Sequence, residues 1–498
     1  MIAHVARREV LGHLRSPRFV ALCALAVALL AVGAWIDAGR FEARMAYADA
    51  LDAQRQSAVA FDRAGPDEVV WRYGWRGGRV VADPAMRAVR PPTPASVFAI
   101  GGDLDAPGFW QFGTEGMSAG ASTEAGSLGG RSATLDLEFV VRVVLSLVAM
   151  LLAADAVAGD RETGMLRALF AAPVSRVDVL LGKWLGGLLT LALPLTLGSG
   201  VACLVLAAHG IAVLDADVWP RVLLLLAGAL LFLSASLALA LYASAHCRDA
   251  RTATVLLVAL WVAAVLIVPN GAALVAAAVA PVTPAEVVRQ ARTDGLRQLE
   301  VERAHVLARL WRTATGSDDV PRDGRLPDDA KRRYDALRRG AEVALMQRKR
   351  ALLRDLDDRR VREERRQSRL VGLLGAVSPA ATFGSFAAAA AGTGRRLEER
   401  WEGAAREHQA RLERASFDQM HGTELFDARA DFLRISFLPG PGDAADRVPT
   451  YAEMPAFAPP EPALGADLAD ALAPLVLLAG ENLVFLVLAA VAVTRMEV

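Results

Sequence analysis

The sequence contains few lysines and few cysteines. Lys183, Lys331 and Lys349 are the three lysines, which leaves 52 arginines among 55 basic residues, and 55 acidic residues balance them. A chain without net charge has no global field that favours nucleic acid or an acidic partner. The three cysteines are odd in number and too far apart for a CxxC motif. The sequence therefore predicts neither a disulfide framework nor a zinc site.

Motifs for catalysis are missing as well. No GxxxxGK[ST] occurs, and Gly182-Lys183 lacks both the upstream glycine and the following Ser or Thr. The seven histidines show no HExxH, and the carboxylates are dispersed along charged helices. Gly116-Met117-Ser118-Ala119-Gly120 matches GxSxG, but a nucleophile elbow needs a strand before it and a helix after it. We interpret this stretch as part of a flexible linker, Gly113–Ser132, and predict no catalytic residue, no metal and no cofactor bound by the chain itself.

Apolar residues dominate what is present. They make up 54% of the chain, with a mean hydropathy of +0.32, which is too apolar for a set of soluble domains. Uncharged stretches near 20 residues are long enough to cross a bilayer. The six predicted spans are residues 19–36, 139–158, 184–208, 222–242, 253–280 and 472–493. Residues 19–36 could be a signal peptide, but this apolar run is longer than usual and no small-residue cleavage site follows, so we interpret it as an anchor.

Basic residues in the short loops predict the orientation. Eleven lie on the side of the N-terminus and one, Arg221, on the other. The positive-inside rule then places both termini in the cytoplasm and two long insertions, 37–138 and 282–470, outside. The abundance of arginine and alanine is typical of a GC-rich bacterial genome. The predicted fold is therefore an α-helical integral membrane protein of the bacterial inner membrane, with six transmembrane helices and two large extracytoplasmic insertions.

The first insertion reads as a small irregular lobe, with short β-prone pieces at Val69–Tyr73 and Gly78–Val81. The second opens with Thr283-Pro284-Ala285-Glu286, a capping box with proline at the first helical position, which predicts the start of a helix.

Two apolar stripes predict a long helical hairpin in the second insertion. A 3.5-residue repeat breaks at the loop Gly316–Pro327 and then resumes. The stripe residues are Leu296, Leu299, Val306 and Leu310, then Tyr334, Ala341, Leu345, Leu352 and Leu356. We interpret the charged faces between the stripes as solvated surface rather than a ligand site. Further on, Leu370–Gly392 is interpreted as a membrane-surface or helix-packing segment, and Pro439–Pro462 as an extended linker.

Charges within the spans are candidates for function, because burying one is costly unless it is paired or hydrated. Arg142 and Asp155 lie near span ends, where they can simply reach the interface. Glu481 lies near mid-span, and it can serve a transport pathway, coupling, or a structural contact between helices.

Asparagine occurs at two positions, Asn270 and Asn482, and both fall in spans. Pro269-Asn270-Gly271 is predicted to hinge or end the fifth helix. Gly182-x-x-x-Gly186 permits close approach of another helix, and we predict a packing role.

The loop after the second span has a specific pattern. It reads Asp160-Arg161-Glu162-Thr163-Gly164-Met165-Leu166-Arg167, then Pro173-Val174-Ser175-Arg176 and Leu181-Gly182-Lys183. This resembles the cytoplasmic loop of ATP-binding-cassette (ABC) exporter permeases of the second type, whose usual pattern is Glu-Arg-Glu-x-Gly-Thr-Leu, Pro-x-Ser-Arg and Leu-Gly-Lys. Asp160 replaces the first glutamate, and Met165 replaces the threonine.

The resemblance extends over the whole chain. It includes an amphipathic N-terminal helix (1–18) with Arg7-Arg8-Glu9, six spans, and insertions after the first and fifth spans. Tyr451–Phe457, followed by Pro459-Pro460, resembles the proline-aromatic exit of a less characterised branch with such insertions.

The resemblance implies a function. In that family the loop, here 159–183, forms a coupling helix that docks on a separate ATPase subunit. The implied coupling residues are Asp160, Arg161, Glu162, Gly164, Arg167 and Arg176. Two ATPase copies using ATP and Mg²⁺, and a second permease copy or homologue, would complete a complex that exports a substrate or does mechanical work outside.

Two alternatives stay open. The loop can be a basic, lipid-facing surface, and the chain can be a non-transporting scaffold that presents the outer hairpin to an envelope protein.

Overall fold

The computed structural model describes residues 2–62, 86–101, 103, 106–113, 116–120, 135–166, 175–317, 328–422, 455–460 and 464–496. The chain forms two compact units. The first is Met1–Pro269 with Ala376–Val498, and the second is Asn270–Gly375.

Eleven helices make up most of the described chain. They are α1 Ile2–Arg15, α2 Pro17–Asp62, α3 Leu137–Glu162, α4 Arg176–Ala208, α5 Trp219–His246, α6 Ala250–Val279, α7 Ala285–Thr315, α8 Asp328–Gly375, α9 Pro379–Ala391, α10 Arg395–Gly422 and α11 Leu464–Arg495. Within the described ranges, six are long and apolar enough to cross a membrane: α2, α3, α4, α5, α6 and α11. The prediction of an α-helical membrane protein with six spans is confirmed.

Helix α2, which contains the first predicted span, is longer than that span. It does not end near Ile36 but continues to Asp62, so the first insertion begins as helix rather than as an irregular lobe. Alanine-rich sequence after Ile36 favours helix. Ion pairs at a three-residue spacing support it, such as Arg55 Nε to Asp52 Oδ1 at 2.9 Å.

Glycines let the spans of the first unit approach one another closely. Leu30 of α2 packs on Gly198 of α4, and Leu237 of α5 packs on Gly187 of α4. Without a side chain at these positions the helix backbones come near enough for van der Waals contact, which drives association of spans in lipid.

The apolar segment Leu370–Gly392 provides a short packed helix. Ser378 Oγ donates to the Ala264 carbonyl at 2.5 Å, and Phe383 of α9 stacks on Phe232 of α5 with ring centroids 4.8 Å apart. Phe386 lies against Gly228 of α5. Since the 13 residues of α9 are too few to cross a bilayer, helix packing is the correct one of the two predicted roles.

Helix α6 continues through Pro269. Of the two alternatives predicted for residues 269–271, the helix end is not observed, because α6 runs on to Val279, and the hinge stays a prediction. A π-helical turn, Val262–Ile267, comes just before the proline. Such a turn accommodates the missing N–H and the bulk of the ring. The boundary between the two compact units nevertheless falls between Pro269 and Asn270.

A three-stranded antiparallel sheet belongs to the first unit. Its order is β1 Arg87–Val89, β2 Phe109–Gly113 and β3 Gly116–Gly120. Ser118 pairs with Gln111 in the ladder, so the GxSxG sequence is a strand, and the flexible-linker prediction is wrong there. The predicted β pieces at 69–73 and 78–81 lie outside the described residues.

An aromatic cluster joins this sheet to α10. It consists of Trp110, Phe112, Trp401, His408 and Phe457. Trp110 and Trp401 stack at 5.7 Å, and the Phe112 ring meets the edge of His408 at 4.6 Å. Phe457 stacks on Trp401 at 6.0 Å. Helix α10 and Phe457, which belong to the second predicted insertion, therefore pack with the first insertion. The single lobe predicted over 282–470 is divided between the two compact units.

Stability of this cluster should depend on pH. Burial, with Arg411 nearby, lowers the pKa of His408 from its usual 6.5 to about 4. The neutral ring is favoured in the fold, so its contribution is full above pH 6.5 and is lost as the pH falls through about 4. We expect the midpoint of thermal unfolding, followed by tryptophan fluorescence, to fall by a few degrees over that window. His408→Leu should flatten this dependence, and an unchanged pH profile in that variant would contradict it.

The second unit contains the predicted hairpin. Helices α7 and α8 pack together, and the stripe residues are half-buried or buried, with Leu345 only 8% exposed. Leu352 packs on Gly295, and the Trp311 and Tyr334 rings meet edge-on at 5.4 Å. The apolar contact between α7 and α8, which we name the seam, therefore follows the helical periodicity of the sequence.

The start of α7 is as predicted, but the capping box is not formed. The cap residue is Pro284. The Thr283 N–H donates to Glu363 Oε2 of α8 at 2.8 Å, and this bond lowers the pKa of Glu363. A contact between the two helices thus replaces the local one.

Candidate functional site

The predicted coupling loop begins with a glycine turn. Helix α3 ends at Glu162, and Gly164 follows with φ of +72°. The Thr163 N–H still bonds back to the Gly159 carbonyl at 3.0 Å. A left-handed conformation is costly for residues with a side chain, so the turn itself explains a glycine at 164.

A buried lysine lies at the centre of the site. Lys183 of α4 is 6% exposed, and its Nζ lies 2.5 Å from Asp160 Oδ2 and 2.8 Å from Glu9 Oε1. A buried ammonium needs such partners because it has lost its hydration. We name Lys183, Asp160 and Glu9 the lysine triad. It connects α1, the end of α3 and α4 at one point.

Helix α1 lies along α4. Val5 contacts Gly182, and Ala6 and Glu9 contact Gly186. The predicted packing role of Gly182-x-x-x-Gly186 is confirmed, with α1 as the partner helix. Arg7 and Arg8 remain exposed on α1.

Three further residues of the motif bond within the chain. Arg161 donates to the Cys247 carbonyl at 3.4 Å, and Glu162 Oε2 accepts from the Ala250 N–H at 3.1 Å. Arg176 Nη1 donates to the Met496 carbonyl at 2.9 Å. These contacts tie the loop to the start of α6 and to the end of α11. These three motif residues therefore bond to neighbouring elements, a role that sequence reasoning did not assign to them.

Two residues of the triad were not singled out from the sequence, although both stand in the quoted motifs. Lys183 could have been recognised because it is one of three lysines and begins an apolar span. Glu9 offered no such signal, since its role depends on how α1 packs. Arg167 lies outside the described residues.

The charged and polar candidates inside the spans have partners. Glu481 of α11 accepts from Thr382 Oγ1 of α9 at 3.2 Å, and Asn482 Oδ1 accepts from Ser234 Oγ of α5 at 3.0 Å. Arg142 pairs with Glu138 one turn away, Nε to Oε1 at 3.1 Å. The bond from Thr382 supports a structural contact between helices as the role of Glu481.

The two remaining span candidates are Asp155 and Asn270. Asp155 lies in the π-helical stretch Asp155–Gly159 of α3, and its side chain is outside the description. Asn270 is the first residue of the second unit, within α6.

Comparison with known proteins agrees with this architecture. The family model described as ABC-2 family transporter protein matches residues 3–344. The chain therefore belongs to the ABC-2 transporter family and is a multi-pass membrane protein. The family predicted from the loop motif is confirmed.

Two curated proteins align with a shorter stretch. The probable ABC transporter permease protein NosY of Stutzerimonas stutzeri is 36% identical over 91 residues, which is 18% of this chain and 33% of that protein. The protein of the same name from Pseudomonas aeruginosa is 36% identical over 92 residues, 18% of this chain and 34% of that protein. The chain thus spans about a third of the length of the curated relatives it matches.

Proposed function

We propose that this protein is the membrane-spanning permease subunit of an ABC transporter, driven by a separate ATPase. The ATPase would bind at the end of the spans where α1 lies, which we name the α1 end. The lysine triad is the observation that supports this most. It joins Asp160, at the start of the predicted coupling loop, to α1 and α4, so a force applied at this point would reach the spans.

The contacts of the loop define which spans would move. Asp160 bonds to Lys183 of α4, and Glu162 accepts from the Ala250 N–H at the start of α6. Arg176 donates to the Met496 carbonyl next to the end of α11. A push on this assembly would therefore act on several spans together. Packed helices switch between discrete arrangements rather than deform gradually.

An ATPase would meet the groups of this end that face solvent. Arg7 and Arg8 of α1 are exposed, as are Glu162, Met165 and Arg248 near the loop. We assign the docking surface to these five residues. Asp160, Arg161 and Arg176 bond within the chain and would act by positioning the loop. Gly164 would supply its turn, and Arg167 stays a proposed contact.

The full complex follows from the family and the charge distribution. We infer two ATPase subunits that bind ATP and Mg²⁺, together with a second permease copy or homologue. The excess of basic residues near the α1 end supports cytoplasmic termini and an inner-membrane location.

The work done on the other side would be export or mechanical work. Helix α8 has 48 residues, and at 1.5 Å per residue it is about 70 Å long. A rod of that length could transmit force to an envelope protein. A pathway role for Glu481 and Asn482 is retained for export. The alternative, a non-transporting scaffold, would have the same hairpin and would bind no ATPase.

Purification from native membranes tests this proposal. Wild-type protein should retain an ABC ATPase, identified by mass spectrometry. Arg8→Glu with Met165→Asp should reduce the retained ATPase by about tenfold, because both changes alter exposed positions of the docking surface. The matched control, Arg297→Glu with Val301→Asp on α7, should retain it fully.

Full retention by the Arg8 and Met165 variant would show that the docking surface is wrong. Absence of any ATPase from the wild-type preparation would favour the scaffold.

A further inference from the structure

Three arginines form a stripe on one face of α8 near its C-terminal end. Arg362, Arg366 and Arg369 are separated by four and three residues, the spacing of one helix face. All three are exposed. Leu373 continues the same face one turn further on and is 72% exposed. We name the three residues the arginine stripe.

One hydrogen bond relates the level of the stripe to the end of a membrane span. Gln367, next to Arg366, donates from Nε2 to the Ala280 carbonyl at 3.0 Å. Ala280 directly follows α6, whose 30 residues extend about 45 Å. That length matches a bilayer including its headgroups. From this length we expect the arginine stripe to lie at the depth of the headgroups.

Apolar side chains lie below the stripe. Leu274, Val275 and Val279 of α6 are exposed, as is Leu373 of α8. An exposed apolar surface at the end of a span is expected to contact acyl chains. Basic groups and apolar groups thus occupy the two levels that a phospholipid needs.

The neighbouring acids do not neutralise the stripe. Glu363 accepts the Thr283 N–H, and Glu364 pairs with Arg360 at 2.8 Å. In the part of α8 that the structure describes, no ion pair joins the three arginines to a carboxylate. A guanidinium is well suited to phosphate because it can donate two parallel hydrogen bonds.

We propose that the arginine stripe binds the phosphate of an anionic phospholipid whose acyl chains lie against Leu373 and the end of α6. The site is independent of the ATPase and goes beyond the proposed function. It fixes the base of the hairpin at the membrane surface.

Native mass spectrometry of the full-length protein tests the site with phosphatidylglycerol and phosphatidylcholine as probes. Wild-type protein should retain phosphatidylglycerol in preference to phosphatidylcholine. Replacing all three arginines with glutamine should weaken phosphatidylglycerol binding by roughly tenfold or more, since each basic residue near a membrane surface adds to the attraction for anionic lipid. The triple lysine variant should retain most of the binding.

The matched control places the same three changes higher on the hairpin, at the exposed Arg309, Arg332 and Arg354. It should bind lipid like the wild type. Equal loss in this control, undiminished binding in the glutamine variant, or equal retention of both lipids would overturn the proposal. Displacement of phosphatidylglycerol by equimolar inorganic phosphate would identify a free-anion site and overturn it as well.

Discussion

Replacing Lys183 with methionine should reduce ATP-driven turnover of the reconstituted complex by about tenfold or more, while the protein still inserts in the membrane. The methionine leaves Glu9 and Asp160 facing each other without their shared cation. Removing one partner of a fully buried ion pair costs about 3–5 kcal/mol, and the cost is smaller here because Glu9 and Asp160 are partly exposed. Separation of α1 from the loop relieves that cost, and the loop then loses its connection to α4.

Two variants serve as controls for the lysine triad. Lys349→Met, the same change on α8 of the hairpin, should leave turnover unchanged. Lys183→Met combined with Glu9→Gln and Asp160→Asn should recover thermal stability, because no buried charge is left without a partner. Full turnover by Lys183→Met alone would remove the triad from the coupling mechanism.

Placing aspartate at both Leu345 and Leu352 should unfold the hairpin in the full-length protein. Each leucine fills the seam between α7 and α8, and deleting one buried leucine side chain costs about 2–5 kcal/mol before any charge is added. In spheroplasts, limited trypsin should cleave within α7 and α8 of the variant much faster than in the wild type. ATPase retention should be unaffected, because the lysine triad is untouched.

The matched control for the seam introduces the same charges at exposed positions. Val301→Asp with Leu337→Asp should cost less than about 1 kcal/mol and should preserve protease resistance. Equal sensitivity of the two variants would show that the apolar seam does not stabilise the hairpin. Cleavage that requires permeabilised membranes would place the hairpin in the cytoplasm and contradict the proposed orientation.

Features that depend on local chain properties were predictable. The six spans follow from the length of uncharged apolar runs, and the structure has six helices of that kind in its described part. The hairpin follows from apolar residues repeated at helical spacing, and Leu345 and Leu352 lie in its seam. The loop motif identified the family because its residues are contiguous.

Some local signals were ambiguous or misleading. The capping box at Thr283 was not formed because Glu363 of α8 offers the Thr283 N–H a carboxylate acceptor. Pro269 does not end α6, and a π-helical turn, Val262–Ile267, precedes it. In both cases the rule describes a real local preference. At Thr283 a bond to another helix replaces the local cap, and at Pro269 the helix continues after a π-helical turn.

The sequence by itself determined the number of spans, the helical hairpin and the family to which the loop motif belongs, because each depends on residues close together in the chain. Only the tertiary structure decided that Glu9 meets Lys183 across 174 positions, that Phe383 stacks on Phe232, and that Trp110 stacks on Trp401. The physical reason is that a buried charge or ring is stabilised by whichever groups the packing of the helices brings beside it.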